Sequence, residues 1–543
     1  MDGLMMDVPL SLPAVLRRTE ALFGHKQVIT RRADRTIARR TYAECLQRAR
    51  RLAGGLKSLG LKPGDRVATF CWNHSRHLEA YYGVPASGAV LHTLNIRLHP
   101  DELAYIITHA GDSAIVVDKA LWSAFAPVRE RIASLPLVVV TDDGEPVEGT
   151  IDYEELIASG TDAGTFADCD ERDAAVMCYT SGTTGRPKGV LYSHRALALH
   201  SLAAALPDCM GLGEADVVLA VVPMFHANAW GLPFICATLG CTQVLPGPYL
   251  DPASIVELLE SERVTFTAGV PTIWHGLLKY LDEHPGHDLS SIRVMLVGGA
   301  AIPEATLRAF ESRHGLRMVH AWGMTETSPL GSVSHVPSDL QSAPLDEQYA
   351  CRATQGRPAP FVEIRARGTD GLVPWDGATM GELEVRGPWV ASAYYPGNEA
   401  PDRWTEDGWF RTGDIVTIAP NGCLTIQDRT KDLVKSGGEW ICTVALETAL
   451  ASHPAIAEVV VVAAPHPVWG ERPLAVVVPR PGCVPEIEDL RAFLAPKFAK
   501  WWLPDAVVCV EALPRTGTGK YQKTQVRAMH RGVFAAAALG SQR

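Results

Sequence analysis

Short apolar runs alternate with amphipathic segments along most of the chain. The apolar runs are rich in β-branched residues, which is typical of strands that are covered on both faces. They lie at residues 113–118, 135–140, 264–270 and 292–297. Because helix-length segments separate these runs, the pattern predicts an α/β fold with mainly parallel sheets.

The segments between these strands carry helix signals. Ser193 is placed to cap a helix that runs to residue 206. Pro303 and Gly315 mark the start and the end of another helix. Residues 254–262 repeat apolar side chains at helical spacing, so we predict a third helix there.

The pattern changes beyond about residue 380, where short strands are joined by Gly and Asp turns. Strands are predicted at residues 382–386, 409–410, 423–427, 457–464 and 474–478. Helices are predicted at residues 444–452 and 488–494. A charged stretch begins at Asp428, so we place a domain boundary there, between residues 1–427 and residues 428–543.

Composition limits the protein class. The chain has 543 residues, 47% of them apolar and 20% charged, so a packed interior and more than one domain are expected. The net charge of −11 argues against nucleic acid as a partner. The 12 cysteines form no CxxC pair, and we find no secretory leader, membrane-spanning run or peroxisomal ending. We therefore expect a reduced, cytoplasmic protein with no transmembrane segment.

Residues 179–190, YTSGTTGRPKGV, concentrate glycines, hydroxyls and cations in one loop. Glycines let backbone N–H groups converge, and hydroxyl and ammonium groups complete a cradle for phosphate oxygens. The loop is not a Walker A motif, because Lys188 follows Pro187 and precedes Gly189. We also find no GxGxxG motif at a strand–helix junction. An ordinary kinase or GTPase and a dinucleotide-binding enzyme are therefore disfavoured.

Five segments resemble, in order, the motifs of the adenylate-forming enzymes, which include acyl-CoA synthetases, adenylation domains and firefly-type luciferases. They are the loop at 179–190, HAWGMTE at 320–326, WFRTGD at 409–414, DRTKDLVKSGGEWI at 428–441 and PRTGTGK at 514–520. The resemblance implies a large amino-terminal domain of α/β sheets and a small, mobile carboxy-terminal α+β domain. It also implies ATP and CoA as substrates and Mg²⁺ as cofactor.

The resemblance implies that a carboxylate attacks the α-phosphate of ATP, that pyrophosphate leaves, and that CoA then displaces AMP. Lys520 would place its ammonium between the two anions, and Thr180 and Glu326 resemble the Mg²⁺-associated residues. Asp414 would accept hydrogen bonds from the ribose hydroxyls. The implied catalytic residues are Lys520, His226 and Glu326. The implied ATP-binding residues are Thr180, Ser181, Gly182, Thr183, Thr184, Gly185, Lys188, Gly299, Ala300, His320, Ala321, Trp322, Gly323, Thr325, Asp414, Arg429, Lys431, Lys435 and Lys520.

The resemblance assigns the second half-reaction to a rotation of the small domain about Asp428. The rotation exchanges the loop that carries Lys520 for a glycine-rich face. Gly437 and Gly438 would allow close passage of the pantetheine arm, and Trp440 would offer a packing surface for CoA. A homodimer is also implied.

Residues 222–230, VPMFHANAW, contain no acid, whereas amino-acid-activating relatives place an aspartate near this segment. An amino acid would leave its ammonium unpaired in a desolvated pocket, so this substrate class is disfavoured. The segment and KSGGEWI resemble bacterial medium- and long-chain fatty-acyl-CoA synthetases and methylmercaptopropionyl-CoA ligases. The implied acyl-pocket residues are His226, Trp230, Gly298 and Ala301.

The leading prediction is therefore an acyl-CoA synthetase for medium- to long-chain fatty acids. Within this class, a small thioether, branched or aryl acid such as 3-methylmercaptopropionate is the alternative. A luciferase-like oxygenase would share the first step, although nothing in the sequence indicates oxygen chemistry. A catalytically silent nucleotide-binding protein is a further alternative, and the presence of Lys520, Asp414 and Glu326 argues against it.

Overall fold

The computed structural model describes residues 1, 3–140, 147–166, 168–180, 186–436, 439–515 and 521–534, apart from the side chains of Val139 and Glu439. The chain divides into two compact units. Unit 1 comprises Met1–Glu363 and Arg386–Phe410, and unit 2 comprises Ile364–Val385 and Arg411–Arg543. The boundary proposed at Asp428 stays a prediction.

Unit 1 holds two sheets within the described residues. Sheet A has seven strands, in the spatial order Ile151–Asp152, Leu137–Val140, Asp112–Asp118, Arg66–Phe70, Val90–Thr93, Ala174–Tyr179 and Gly189–Ser193. Sheet B has nine, in the order Arg357–Pro358, Leu330–Ser334, Met318–Gly323, Val294–Gly298, Phe266–Gly269, Val217–Ala220, Thr242–Leu245, Gln27–Arg31 and Ile37–Thr41. Neighbouring strands are parallel except at the sheet edges, which confirms the predicted α/β architecture.

Helices accompany both sheets. In the described part of unit 1 they are Leu12–Phe23, Tyr42–Ser58, Ser75–Ala86, Pro100–Ala110, Trp122–Arg129, Tyr153–Ser159, His194–Ala205, Leu232–Leu239, Pro252–Ser261, Pro271–Glu283, Glu304–His314 and Leu345–Ala353, with a single turn at Ala227–Trp230. Phe70 and Phe125 are fully buried in the core of sheet A, and Trp274 and Phe310 are fully buried in the core of sheet B. Among these residues no helix has both the length and the apolar character needed to cross a membrane.

The helix start at Ser193 and the helix end at Gly315 are confirmed, and the helix predicted from residue 254 is shifted. Ser193 caps its helix, because its Oγ accepts a hydrogen bond from the N–H of Ala196 at 3.1 Å. Gly315 ends the helix after Pro303 with a φ of 67°. The helix predicted from residue 254 begins earlier, because Asp251 caps it by accepting from the N–H of Ser254 at 3.0 Å.

Unit 2 is built on two further sheets within the described residues. Sheet C has the order Gly371–Leu372, Glu363–Gly368, Gly381–Arg386, Phe410–Ile418 and Leu424–Arg429. Sheet D has the order Glu439–Ile441, Val434–Ser436, Gly470–Pro479 and Ile456–His466, and Ala506–Cys509 also pairs with Gly470–Pro479. The strand predicted at 409–410 is wrong in extent, since it begins at Phe410 and continues to Ile418.

Sheet D carries apolar side chains on both faces. Val459 and Val461 belong to one core cluster, whereas Val460 and Val462 belong to another. This alternation explains why the sequence reads as an uninterrupted apolar run there. The helices of unit 2 in the described residues are Thr443–Leu450, Ile487–Leu494 and Lys523–Met529.

Candidate active site

The two ends of the predicted phosphate loop are hydrogen-bonded to each other at the edge of sheet A. Thr180 follows the strand Ala174–Tyr179, and Lys188 precedes the antiparallel strand Gly189–Ser193. The N–H of Thr180 donates to the Lys188 carbonyl at 2.9 Å, and the N–H of Lys188 donates to Thr180 Oγ1 at 3.1 Å. The predicted ligands Ser181, Gly182, Thr183, Thr184 and Gly185 lie outside the described residues.

Glu326 lies in a short 3₁₀ turn and is 5% exposed. Its Oε1 accepts a hydrogen bond from the hydroxyl of Tyr394 at 2.5 Å. Lys188 Nζ lies 5.9 Å from the centroid of the same Tyr394 ring. Burial and the Glu326 carboxylate raise the pKa of Tyr394 above its usual range, so the hydroxyl stays protonated and donates. Tyr394 therefore lies between the predicted Mg²⁺-associated residue Glu326 and the predicted ATP-binding residue Lys188.

The donors at this place fit a hard cation. Mg²⁺ prefers oxygen ligands, and Glu326 offers a buried carboxylate whose hydrogen-bond donor is neutral. Within the described residues, no lysine or arginine forms an ion pair with Glu326. Thr180 offers a hydroxyl that is fixed by the N–H of Lys188. Glu326 and Thr180, the predicted Mg²⁺-associated residues, thus both offer oxygen ligands of the kind that the ion prefers.

A cavity in unit 1 reaches from the phosphate loop to the predicted carboxylate site. Its wall combines apolar side chains with a few polar ones: Thr93, Leu94, Asn95, Leu98, Ile106, Tyr179, Thr180, Phe225 and His226. Of the predicted acyl-pocket residues, His226 lies on this wall. The cavity thus places the imidazole that is predicted to line the carboxylate site beside Thr180.

Trp230 lies elsewhere, against the end of a central strand of sheet B. The indole is 8% exposed. A Cβ atom added at Gly298 would lie 3.2 Å from Trp230 Cη2 and 2.9 Å from the Ala321 carbonyl oxygen. Trp230, Gly298 and Ala321 are therefore close-packed, and the absence of a side chain at Gly298 makes room for the indole. Ala301 is exposed beyond this strand.

The loop that carries His226 is supported by Asn73. The Asn73 amide donates to the carbonyls of Ala220 and Val222 at 3.0 and 2.8 Å, and its Oδ1 accepts from the N–H of Met224 at 2.7 Å. Asn73 is 4% exposed, so these contacts are shielded from water. One amide side chain thus holds the backbone on both sides of Pro223.

Cys71, His74 and Asp118 lie close together near Asn73 and form a buried group of three possible metal ligands. His74 Nε2 lies 2.7 Å from Asp118 Oδ1, and the N–H of Trp72 donates to Asp118 Oδ2 at 2.8 Å. Cys71 Sγ lies 3.6 Å from the Val116 carbonyl. Since these groups already hydrogen-bond one another and the backbone, we interpret the cluster as structural support.

The strand Met318–Gly323 carries several predicted nucleotide contacts. His320 is 2% exposed, and burial lowers its pKa, so the imidazole is neutral. Its Nδ1 lies 3.3 Å from the Ala353 carbonyl oxygen. Gly323 has no room for a side chain, because a Cβ there would lie 1.8 Å from the Pro329 carbonyl oxygen. Gly299 and Ala300 follow the neighbouring strand and are exposed, Trp322 is 7% exposed, and Thr325 is 8% exposed.

The ribose aspartate lies in unit 2. Asp414 is 1% exposed and pairs with Arg429 on the adjacent strand, where Arg429 Nε lies 2.5 Å from Asp414 Oδ1. Burial lowers the pKa of Lys431. Lys435 is exposed and pairs with Trp440 across a hairpin. Of the remaining predictions, Gly437, Gly438 and Lys520 lie outside the described residues.

The side chain of Asp428, the predicted hinge residue, accepts two hydrogen bonds from Thr443. Asp428 Oδ2 accepts from the N–H of Thr443 at 2.5 Å and from its hydroxyl at 2.6 Å. Lys523 donates to the same hydroxyl oxygen at 2.7 Å, and its ammonium pairs with Glu447 at 2.8 Å. Lys523 follows shortly after the segment that contains Lys520. The hinge residue is therefore joined to the chain beyond the predicted lysine loop.

Sequence reasoning missed Tyr394, Asn73 and Lys523. Tyr394 stands in the aromatic pair before Pro396, a pattern that also fits an ordinary packed turn. Lys523 reads as one more exposed cation in a helix. Asn73 follows a strand end, where polar residues are common. Each makes its contacts with residues that are distant in the chain.

Family models match residues 17–395 to the AMP-binding enzyme family and residues 445–520 to the AMP-binding enzyme C-terminal domain. A long-chain-fatty-acid–CoA ligase of Thermus thermophilus is 50% identical, with 98% of each chain covered. A 3-methylmercaptopropionyl-CoA ligase of Ruegeria pomeroyi is 43% identical, with 98% of this chain and 100% of that protein covered. The structure of ATP-bound MatB from Rhodopseudomonas palustris matches with a TM-score of 0.83 at 28% identity, covering 97% of this chain and 100% of that chain.

The family models and these relatives show that the chain is an adenylate-forming enzyme, an acid–thiol ligase that converts ATP to AMP. The chain belongs to the AMP-binding enzyme family. The resemblance inferred from five sequence motifs is thereby confirmed.

Proposed function

We propose that this protein joins a medium- to long-chain fatty acid to CoA, through a fatty-acyl-adenylate, with ATP as the second substrate and Mg²⁺ as cofactor. The contact between Tyr394 and Glu326, with Lys188 over the same ring, carries the proposal, because it brings the Lys188 ammonium, which would meet phosphate oxygens, near a buried carboxylate that could hold Mg²⁺. The 50% identity to a long-chain-fatty-acid–CoA ligase supports the acyl class.

In the first half-reaction the chain binds and orients two anions. Lys188 and the hydroxyl of Thr180 stand at the two ends of the phosphate loop. His226 lines the cavity beside Thr180, where a substrate carboxylate can approach the α-phosphate. Mg²⁺, held by Glu326 and Thr180, would neutralise phosphate oxygens. Lys520 would meet the negative charge that develops between carboxylate and phosphate.

In the second half-reaction the thiol of CoA attacks the acyl carbonyl and AMP leaves. We assign the approach of the thiol to the glycine-rich segment of unit 2, where Trp440 stands opposite Lys435. We assign the exchange between the two half-reactions to a rotation about Asp428. Asp414 and Arg429 would hold the ribose and phosphate of the nucleotide.

The fatty-acid assignment is tested by pyrophosphate release with acids of graded chain length, with and without CoA. We expect the highest kcat/KM with a medium or long acid, and thioester only when CoA is present. The 43% identity to a 3-methylmercaptopropionyl-CoA ligase makes 3-methylmercaptopropionate the acid to include beside them. A higher kcat/KM for that acid would show that the preferred substrate is the small thioether acid and not a fatty acid.

Lys520→Ala tests the mechanism. We expect adenylation to fall by about 10²–10³-fold, because one electrostatic contact to the transition state is lost. Thioester formation that starts from preformed acyl-adenylate should survive. Lys279→Ala, at a lysine whose side chain is 77% exposed, is the control and should leave both steps unchanged. Equal losses in both half-reactions would reject the role of Lys520.

We also propose a reducing, cytoplasmic setting. The 12 cysteines are free thiols and nine of them are buried, which supports this setting. The homodimer is a further proposal, which sedimentation of the purified protein tests.

A further inference from the structure

The turn between His226 and Gly231 has an unusual backbone. The residues Ala227, Asn228, Ala229 and Trp230 have φ angles of 43°, 58°, 48° and 57°. L-residues other than glycine rarely adopt this left-handed conformation, and runs of it are rarer still, because Cβ approaches the following carbonyl oxygen. A run of four such residues stores strain that the surrounding structure must hold.

Asn228 is the residue in the turn best suited to this conformation. Asparagine tolerates positive φ better than other side chains that have a Cβ atom. Asn228 is fully buried, and its Oδ1 lies 3.3 Å from the hydroxyl of Tyr81 and 3.6 Å from Cys178 Sγ. Backbone bonds close the turn from Ala229 N–H to the His226 carbonyl at 3.1 Å and from Gly231 N–H to the Asn228 carbonyl at 2.8 Å.

Tyr81 fastens the turn to the loop before it. Its hydroxyl contacts the Met224 carbonyl oxygen as well as Asn228 Oδ1. Tyr81 is fully buried in the helix Ser75–Ala86, so the turn is held by a rigid element. Asn228 Nδ2 has no hydrogen-bond partner in the part of the chain that the structure describes. Burying this unpaired amide N–H group costs free energy of folding. The positive φ at this position explains why asparagine stands here despite that cost.

The handedness of the turn decides where its two ends point. His226, at one end, lies on the cavity wall beside Thr180. Trp230, at the other end, packs against Gly298. Four residues of opposite handedness would direct the indole away from that strand. The same strained turn thus fixes the imidazole and the indole relative to each other.

We propose that Asn228 is a specificity-positioning residue: its tolerance of positive φ, together with the Tyr81 hydroxyl bound to the Met224 carbonyl, holds the left-handed turn that places His226 on the cavity wall beside Thr180, and so sets which acyl chains the enzyme accepts. The proposal rests on the proposed fatty-acyl-CoA synthetase function. It assigns no chemical step to Asn228, which acts through the position of His226.

The matched variants are Asn228→Ala and Asn228→Gly. Both remove the side chain, but glycine adopts positive φ freely and alanine does not. The measurement is kcat/KM for the preferred acid and for an acid four carbons shorter. In Asn228→Ala we expect the ratio of these values to fall about tenfold, the lower end of what a misfit in an apolar pocket costs. In Asn228→Gly the ratio should stay within about threefold of the wild-type ratio.

Tyr81→Phe removes the hydroxyl and keeps the ring, and it should lower the ratio in the same direction as Asn228→Ala. Amide hydrogen exchange at Ala229 and Gly231 gives a readout independent of activity, and it should quicken in Asn228→Ala more than in Asn228→Gly. Equal ratios or equal exchange in the alanine and glycine variants would overturn the proposal. So would a uniform loss of kcat for every acid. If the wild type forms no fatty-acyl thioester, the proposed function fails, and hydrogen exchange still decides whether Asn228 holds the turn.

Discussion

The two units each bury a glutamate, and they surround it differently. In unit 1, Glu326 accepts a hydrogen bond from the neutral hydroxyl of Tyr394. In unit 2, Glu447 pairs with the ammonium of Lys523 at 2.8 Å and accepts from the N–H of Val461 at 2.6 Å. The first carboxylate has no cationic partner among the described residues, whereas the second has Lys523. The difference separates a carboxylate suited to a metal from one that holds a domain together.

Removing the cation of unit 2 should have the largest effect. Above pH 7, where Glu447 is ionised, Lys523→Met leaves this carboxylate buried without its cation, and breaking a buried pair in this way costs about 3–5 kcal/mol. Amide exchange in the helix Thr443–Leu450 measures the loss, since Glu447 lies on that helix. The double variant Lys523→Met with Glu447→Leu should recover much of the lost stability, because it leaves no unpaired carboxylate at position 447.

Lys435→Met, at an exposed lysine of the same unit, is the control for that experiment and should leave exchange unchanged. If Lys523→Met exchanged no faster than this control, the ion pair would not hold the helix. The contrast between the two glutamates would then fail.

The pH dependence of unit 2 should give a smaller effect. Burial raises the pKa of Glu447 to about 7, from an ordinary value of 4.5. Because the folded state holds this proton more tightly than the unfolded state, the stability that it contributes is full below pH 4.5 and is lost as the pH rises through 7. Burial also raises the pKa of Asp428, which adds to the same slope.

Glu447→Gln isolates the contribution of this glutamate. We expect the free energy of local opening around Thr443–Leu450 to fall between pH 4.5 and 7 in the wild type, and to fall less steeply in the variant. Hydrogen exchange corrected for its intrinsic pH dependence gives both slopes. Parallel slopes would show that Glu447 does not titrate in this range.

The sequence allowed the elements and the motif positions to be predicted, because both depend on local patterns. The strand Val294–Gly298 and the capped helix His194–Ala205 follow from periodicity and from Ser193. The partners inside the site could not be predicted in this way. Tyr394 meets Glu326 across 68 residues, and Lys523 meets Thr443 across 80.

The left-handed turn was missed for a different physical reason. Neither Ala227 nor Trp230 has a preference for positive φ, so tertiary contacts impose this conformation against local preference. The surrounding residues, Tyr81 and Cys178, come from separate elements of unit 1. Sequence patterns do not show which of these contacts will form.

Tyr394→Phe should produce the smallest change and tests the unit 1 side of the comparison directly. The variant removes the donor that orients Glu326 and keeps the ring beside Lys188. Residues that orient a metal ligand typically contribute about 10–100-fold in metal affinity. We therefore expect the Mg²⁺ concentration for half-maximal ATP–pyrophosphate exchange to rise about tenfold, with the rate at saturating Mg²⁺ near the wild-type value.

Tyr395→Phe is the matched control, because it removes the same hydroxyl group at the neighbouring position. The ring of Tyr395 packs against His109, with 5.8 Å between the ring centroids. The variant should leave the Mg²⁺ dependence unchanged. A Tyr394→Phe enzyme that lost the same fraction of activity at every Mg²⁺ concentration would show that Tyr394 only packs, and that Glu326 does not hold the ion. If the Mg²⁺ requirement rises while the maximal rate stays unchanged, the Tyr394 hydroxyl supports Mg²⁺ binding at Glu326. Variants of Glu447 in unit 2 should not change the Mg²⁺ requirement.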